Sequence, residues 1–153
     1  MTEALINRHR RNVDPLLEPG ERLLDIASVV PVAGSHGAGH GLGGAVGNRL
    51  AQAGAVSGGT GSIASGFPTT SGNAMARLLV VTDRRAAYVH VRDIRKTGQV
   101  LWHAPRQLVL RVERRPRLQA MAKFRLHFVD GSSVAIATMR RRTIEGLADH
   151  LGR

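Results

Sequence analysis

From Lys123 to Ile136 the chain alternates with a period of two. Phe124, Leu126 and Phe128 interleave with Lys123, Arg125 and His127, Asp130-Gly131 follows, and Val134 and Ile136 resume beyond it. Successive side chains of a strand point to opposite faces, so this pattern predicts a half-buried strand with one wet face. Asp and Gly accept the positive φ angles of tight hairpins, which predicts a two-residue turn at Asp130-Gly131. Leu108, Leu110 and Val112 alternate in the same way against Gln107, Arg111 and Glu113. Upstream, the apolar run Arg77 to Thr82, a turn at Asp83-Arg84 and the stretch Ala86 to Val91 predict another hairpin. Val100 and Trp102 mark a further short strand, and Leu23 to Val32 a first one, with Pro31 near its end. The period then changes. Ile144, Leu147, Ala148 and Leu151 fall at i, i+3, i+4 and i+7, one apolar helical stripe, with Gly152 placed to stop the helix.

One strand, an interruption, about six more strands and a terminal helix make the expected fold mainly β. The interruption is compositional: residues 34–73 hold 13 of the 18 glycines and a single charge, Arg49. The expected organisation is an N-terminal arm over 1–15 and one domain over 16–151, with 34–73 as a Gly-rich insert. At 153 residues and 42% apolar content the chain can support one core. No stretch reaches the roughly 18 apolar residues of a membrane-spanning helix. Leu5 and Ile6 are the only apolar run before Asn12, too short for a signal peptide. Cysteine is absent, which removes disulfides, thiolate nucleophiles and cysteine-ligated metal. The expected location is the cytoplasm, including the inner face of the membrane.

Two short segments carry a family resemblance. Leu17-Glu18-Pro19-Gly20-Glu21-Arg22-Leu23-Leu24 enters the first strand, and Leu79-Val80-Val81-Thr82-Asp83-Arg84-Arg85 crosses the second into a turn. Together with the later strands, the Asp130-Gly131 turn and the closing helix, they resemble the bacterial pleckstrin-homology-like (PH-like) family over roughly residues 16–32 and 76–151. The resemblance implies a strongly bent sheet or partly open barrel of about seven strands, capped by the C-terminal helix, in a non-enzymatic binding or adaptor module. The Gly-rich insert departs from it, standing where the first two strands are normally joined by a short loop. Ala86-Ala87 also replace bulkier residues. Family members that bind phosphoinositides use that first loop, and the insert lacks its basic signature.

The insert also contains two look-alikes. Gly39-His40-Gly41-Leu42-Gly43-Gly44 fits G-x-G-x-x-G, but no acidic residue lies between Asp25 and Asp83 to take ribose hydroxyls. His36 and His40 have the spacing of two metal ligands on a helix, but glycines flank them and no third ligand is near. Leu42, Val46, Leu50 and Ala53 could line a thin helix beside Gly39, Gly43 and Gly47, suited to self-association or a membrane surface. The alternatives are a loop of small residues and local packing onto the barrel. No nucleophile–base pair, P-loop lysine motif or paired carboxylates stand out, so neither an enzyme nor a cofactor is expected.

The net charge of +11 directs attention to anionic partners. Arginine supplies 20 of the 22 basic residues; Lys96 and Lys123 are the others. The candidate anion- or partner-binding residues form three clusters: Arg84 and Arg85 at a turn; Arg111, Arg114, Arg115, Arg117, Lys123 and Arg125 around one loop; and Arg140, Arg141 and Arg142 at the start of the last helix. The last cluster opposes the helix dipole, which fits either a solvated face or a site awaiting an anion. The expected partner is a protein or an anionic lipid surface. Nucleic acid bound through phosphate contacts is the alternative, weakened by only 3% aromatic content for base stacking.

Overall fold

The computed structural model describes residues 2–32, 55–68, 73–115 and 121–152. Helix α1 (Thr2–Val13) opens the chain. Strands β1 (Leu23–Ser28), β2 (Val30–Pro31) and β3 (Val56–Ser57) follow, then β4 (Ala76–Thr82), β5 (Arg85–Val91) and β6 (Gln99–Pro105). Strands β7 (Val109–Arg114), β8 (Ala122–Phe128) and β9 (Ser133–Thr138) lead into helix α2 (Arg141–Leu151).

Among the described residues, the nine strands form two antiparallel sheets that do not close into a barrel. One sheet runs β1-β4-β5-β6; the other runs β2-β9-β8-β7, with β3 also pairing β9. Seven strands have six or seven residues, and β2 and β3 have two each. The mainly β fold with a terminal helix is therefore as the alternation predicts. The predicted first strand is divided, because the chain leaves one sheet at Ser28 and joins the other at Val30; Pro31 pairs with Ile136 there.

The main core lies between the sheets and under α2. Tyr88, Phe124, Phe128, Leu126, Ile136 and Leu147 are buried in it. Ile144, Leu147 and Leu151 supply the buried stripe of α2, and the helix ends at Gly152, whose N–H donates to Ala148 O. A second cluster lies on the opposite face of the first sheet, where Val13 of α1 packs with Ile26, Leu78, Val80, Val89 and Val91. Strands β4 and β5 are thus covered on both faces, which explains why Leu78 to Val81 is a continuous apolar run rather than an alternation.

Three expectations need correction. Leu110 is 59% exposed, while Val109 and Val112 are buried. A 3-10 turn at Arg106–Leu108 and an irregularity between Val109 and Arg111 shift the phase that Leu108, Leu110 and Val112 suggest. The β8–β9 hairpin uses a three-residue loop. Gly131 N–H donates to Phe128 O, Phe128 N–H donates to Ser132 O, and only Gly131, at φ 82, takes positive φ. A type I turn followed by one left-handed residue closes the hairpin, so Asp130 is released to accept from Ser132 and Ile63 N–H groups. Finally, residues 55–68 belong to the domain. Ala64 and Phe67 are buried, Phe67 packs on Tyr88 and Trp102, and Trp102 Nε1 donates to Ile63 O. The Gly39–Gly44 pattern, His36, His40 and the stripe from Leu42 to Ala53 lie outside the described residues.

Candidate functional site

The first predicted cluster is engaged inside the molecule. Arg85 donates from Nε to Glu21 Oε1 at 2.9 Å, from its terminal nitrogen to Glu21 Oε2 at 3.1 Å, and to Leu16 O at 2.7 Å. Thr82 Oγ1 donates to Glu21 Oε1 at 2.6 Å and accepts the Arg84 and Arg85 N–H groups. Arg84 reaches Glu18 Oε2 and Pro19 O. The two segments that carry the family resemblance therefore meet as one clasp across the β4–β5 turn. The Arg85 and Glu21 side chains are 18% and 0% exposed, so Arg85 has little surface left for an external anion. Burial alone would push the Glu21 carboxyl up; the hydrogen bonds from Arg85, Thr82 and Glu18 N–H and the Arg85 charge outweigh it and hold the carboxyl below its usual range.

The second cluster spreads over β7 and β8. Glu113 is its counter-charge: His127 donates to it, Arg115 lies 3.4 Å away and Arg111 3.8 Å away. The His127 hydrogen bond, with the Arg115 and Arg111 charges, keeps the Glu113 carboxyl low. Arg125 donates to Ser133 Oγ at 2.8 Å; Arg114 is exposed and Lys123 half-buried. Arg117 lies outside the described residues.

The third cluster borders a cavity. Arg140 caps the start of α2 with extended backbone, and Arg140 and Arg142 line a pocket of about 450 Å³ between α1, the end of β1 and the β9–α2 junction. Arg141 is exposed but does not line it, and none of the described residues from Arg111 to Arg125 does. A further arginine joins from the opposite wall, Arg8 on α1. Among the described residues, Arg8 and Arg142 make no hydrogen bond or ion pair. The first turn of α2 has no acidic residue and no capping side chain, so its N–H groups keep their positive end uncompensated. Leu5, Ile26 and Met139 supply apolar wall, and Met139 is 70% exposed.

Asp25 lies in the same wall and is 3% exposed. Its Oδ1 accepts from Ile26 N–H at 2.8 Å, whereas Oδ2 accepts no hydrogen bond among the described residues. Gly146 of α2 makes room for this carboxyl, since a Cβ there would stand 3.2 Å from Oδ2. Burial raises the carboxyl above the usual carboxylate range, opposed by the Ile26 N–H and the charge of His150. Arg8 escapes a sequence reading because α1 does. Asp25 carries a signal of its own, a charge inside the apolar strand Leu23-Leu24-Asp25-Ile26-Ala27.

Among the described residues no group of three His, Asp or Glu side chains could hold a metal ion, and no helix is long and apolar enough to cross a membrane. Compared with known proteins, the chain matches no family model, no curated protein and no solved structure.

Proposed function

We propose that this chain is a non-enzymatic binding module of PH-like type that engages an anionic membrane surface, taking an anionic headgroup into the pocket between α1 and the start of α2. The observation that carries this reading is the pocket's charge. Arg8, Arg140 and Arg142 converge on it, and Arg8 and Arg142 have no ion-pair or hydrogen-bond partner among the described residues. Its volume of about 450 Å³ suits a small anionic group. Met139, apolar and exposed beside Arg140, supports a lipid surface, where an apolar side chain enters the headgroup boundary while neighbouring arginines stay with the phosphates. The seven long strands, their division between two sheets and the closing helix support the PH-like reading.

Co-sedimentation with phosphatidylglycerol and phosphatidylcholine vesicles tests the proposal, with DNA binding measured at two salt concentrations. Binding to the anionic vesicles alone is expected. At about 1 kcal/mol per interfacial arginine, Arg8→Ala with Arg142→Ala weakens it by roughly 30-fold. Arg111→Ala with Arg115→Ala, which share Glu113, weaken it far less. Unchanged vesicle binding in the Arg8/Arg142 variant overturns the proposal. So does DNA binding with a steep salt slope and no vesicle binding, and silence towards both surfaces redirects the function to a protein partner.

A further inference from the structure

Three arginines account for an anion, but they leave Asp25 unexplained. A carboxyl in the wall of an anion pocket works against the arginines, and burying it costs stability. It is nevertheless built in. Ile26 N–H fixes Oδ1, Gly146 clears the space beside Oδ2, and Oδ2 is left without a hydrogen bond in the pocket wall. Among the described residues nothing pairs with it, so a group entering the pocket can.

We infer that the pocket selects a hydroxyl-bearing phosphate, with Arg8, Arg140 and Arg142 on the phosphate and Asp25 Oδ2 on the hydroxyl. This rests on reading the pocket as the anion site. A hydroxyl both donates and accepts, so it pairs with Oδ2 whether the carboxyl is ionised or neutral, whereas an ammonium group, which only donates, has no bond to make once Oδ2 carries the proton. A phosphate with no hydroxyl meets the same arginines but leaves a buried polar atom unpaired, the situation that produces strong discrimination in binding sites. The hydroxyl-bearing phosphate can be a free polyol phosphate or a lipid headgroup such as phosphoglycerol; the chemistry is shared.

The test uses two matched pairs on the full chain. In solution, glycerol 3-phosphate is compared with propyl phosphate by calorimetric titration. On membranes, phosphatidylglycerol vesicles are compared with phosphatidylmethanol vesicles, which carry the same charge without the hydroxyls. The hydroxylated member is expected to bind about tenfold more tightly or better. Selectivity in the soluble pair assigns a free ligand, and selectivity confined to vesicles assigns a lipid. Asp25→Ala, which leaves neither donor nor acceptor for the hydroxyl, should bring the ratio to within about threefold while binding of the hydroxyl-free member persists or strengthens. Gly146→Ala, which sets a methyl against Oδ2 without changing charge, should lower the ratio in the same direction. Equal binding of both members by the wild type overturns the hydroxyl assignment and leaves the anion site standing. Full selectivity retained in Asp25→Ala also overturns it. No binding of any probe overturns both the assignment and the site.

Discussion

Asp25 shows how a single residue can separate the demands of folding from those of binding. Its folded-state pKa is raised by burial, against the opposing effects of Ile26 N–H and His150. An acid with a raised folded pKa stabilises the fold while it is protonated. That contribution is complete below the unfolded value of 3.8 and is lost as the pH rises through the folded value. At neutral pH the buried carboxyl is therefore a cost, and Asp25→Asn is expected to raise the melting temperature by a few degrees, an effect on the order of 1 kcal/mol. The gain should shrink as the pH is lowered towards 4. Stabilisation by Asp25→Asn is the pattern of a site residue, while a structural carboxyl would lose stability on the same change. Thermal denaturation of both proteins at pH 4 and pH 7 distinguishes the two.

Pairs of elements are held together by contacts whose residues the sequence displays without their partners. The Glu18-Pro19-Gly20-Glu21 and Thr82-Asp83-Arg84-Arg85 segments can be picked out by eye, but nothing in their spacing says that Arg85 faces inward onto Glu21. That is a consequence of β1 pairing β4, with Leu23 opposite Thr82. Arginine side chains look alike in a sequence; the β1–β4 pairing engages Arg85, whereas Arg142, in the first turn of α2, meets no partner among the described residues. Removing one partner of a covered ion pair leaves the other charge uncompensated, so Glu21→Gln or Arg85→Ala is expected to destabilise by about 3 kcal/mol at neutral pH. Glu21 has a depressed folded pKa, so its contribution is present above the unfolded value of 4.5 and is lost as the pH falls through the folded value. Chemical denaturation from pH 7 downward should therefore bring wild type and Glu21→Gln together. A gap that persists at low pH would assign the loss to packing.

At the scale of the molecule, the strands were legible wherever one face is wet, as in β8, and so was α2, because its apolar stripe is uninterrupted. Helix α1 was not, for a reason visible in its residues. Its inward side includes His9 and Asn12, both buried and polar, which break the apolar period between Leu5, Ile6 and Val13. Asn12 is there to bind the chain rather than to fill the core. Its Nδ2 donates to Asp93 O and Ile94 O at 3.2 and 3.1 Å and also to Lys96 O, its Oδ1 pairs with His9, and its own carbonyl accepts from Gly98 N–H. One side chain thus ties α1 to the β5–β6 connection, and through α1 it holds both the cover of the first sheet and the wall that carries Arg8. Asn12→Ala removes the side-chain bonds while the Gly98 N–H bond to its carbonyl, Val13 and the apolar contacts remain, and is expected to cost about 2 kcal/mol. Hydrogen exchange should report the loss unevenly. Amides of α1 and of 93–98 should exchange faster, those of β8 and β9 should keep their protection, and binding of anionic vesicles should weaken as Arg8 loses its fixed position. Uniform loss of protection across both sheets would instead make α1 part of the cooperative core, and its arginine a passenger on it.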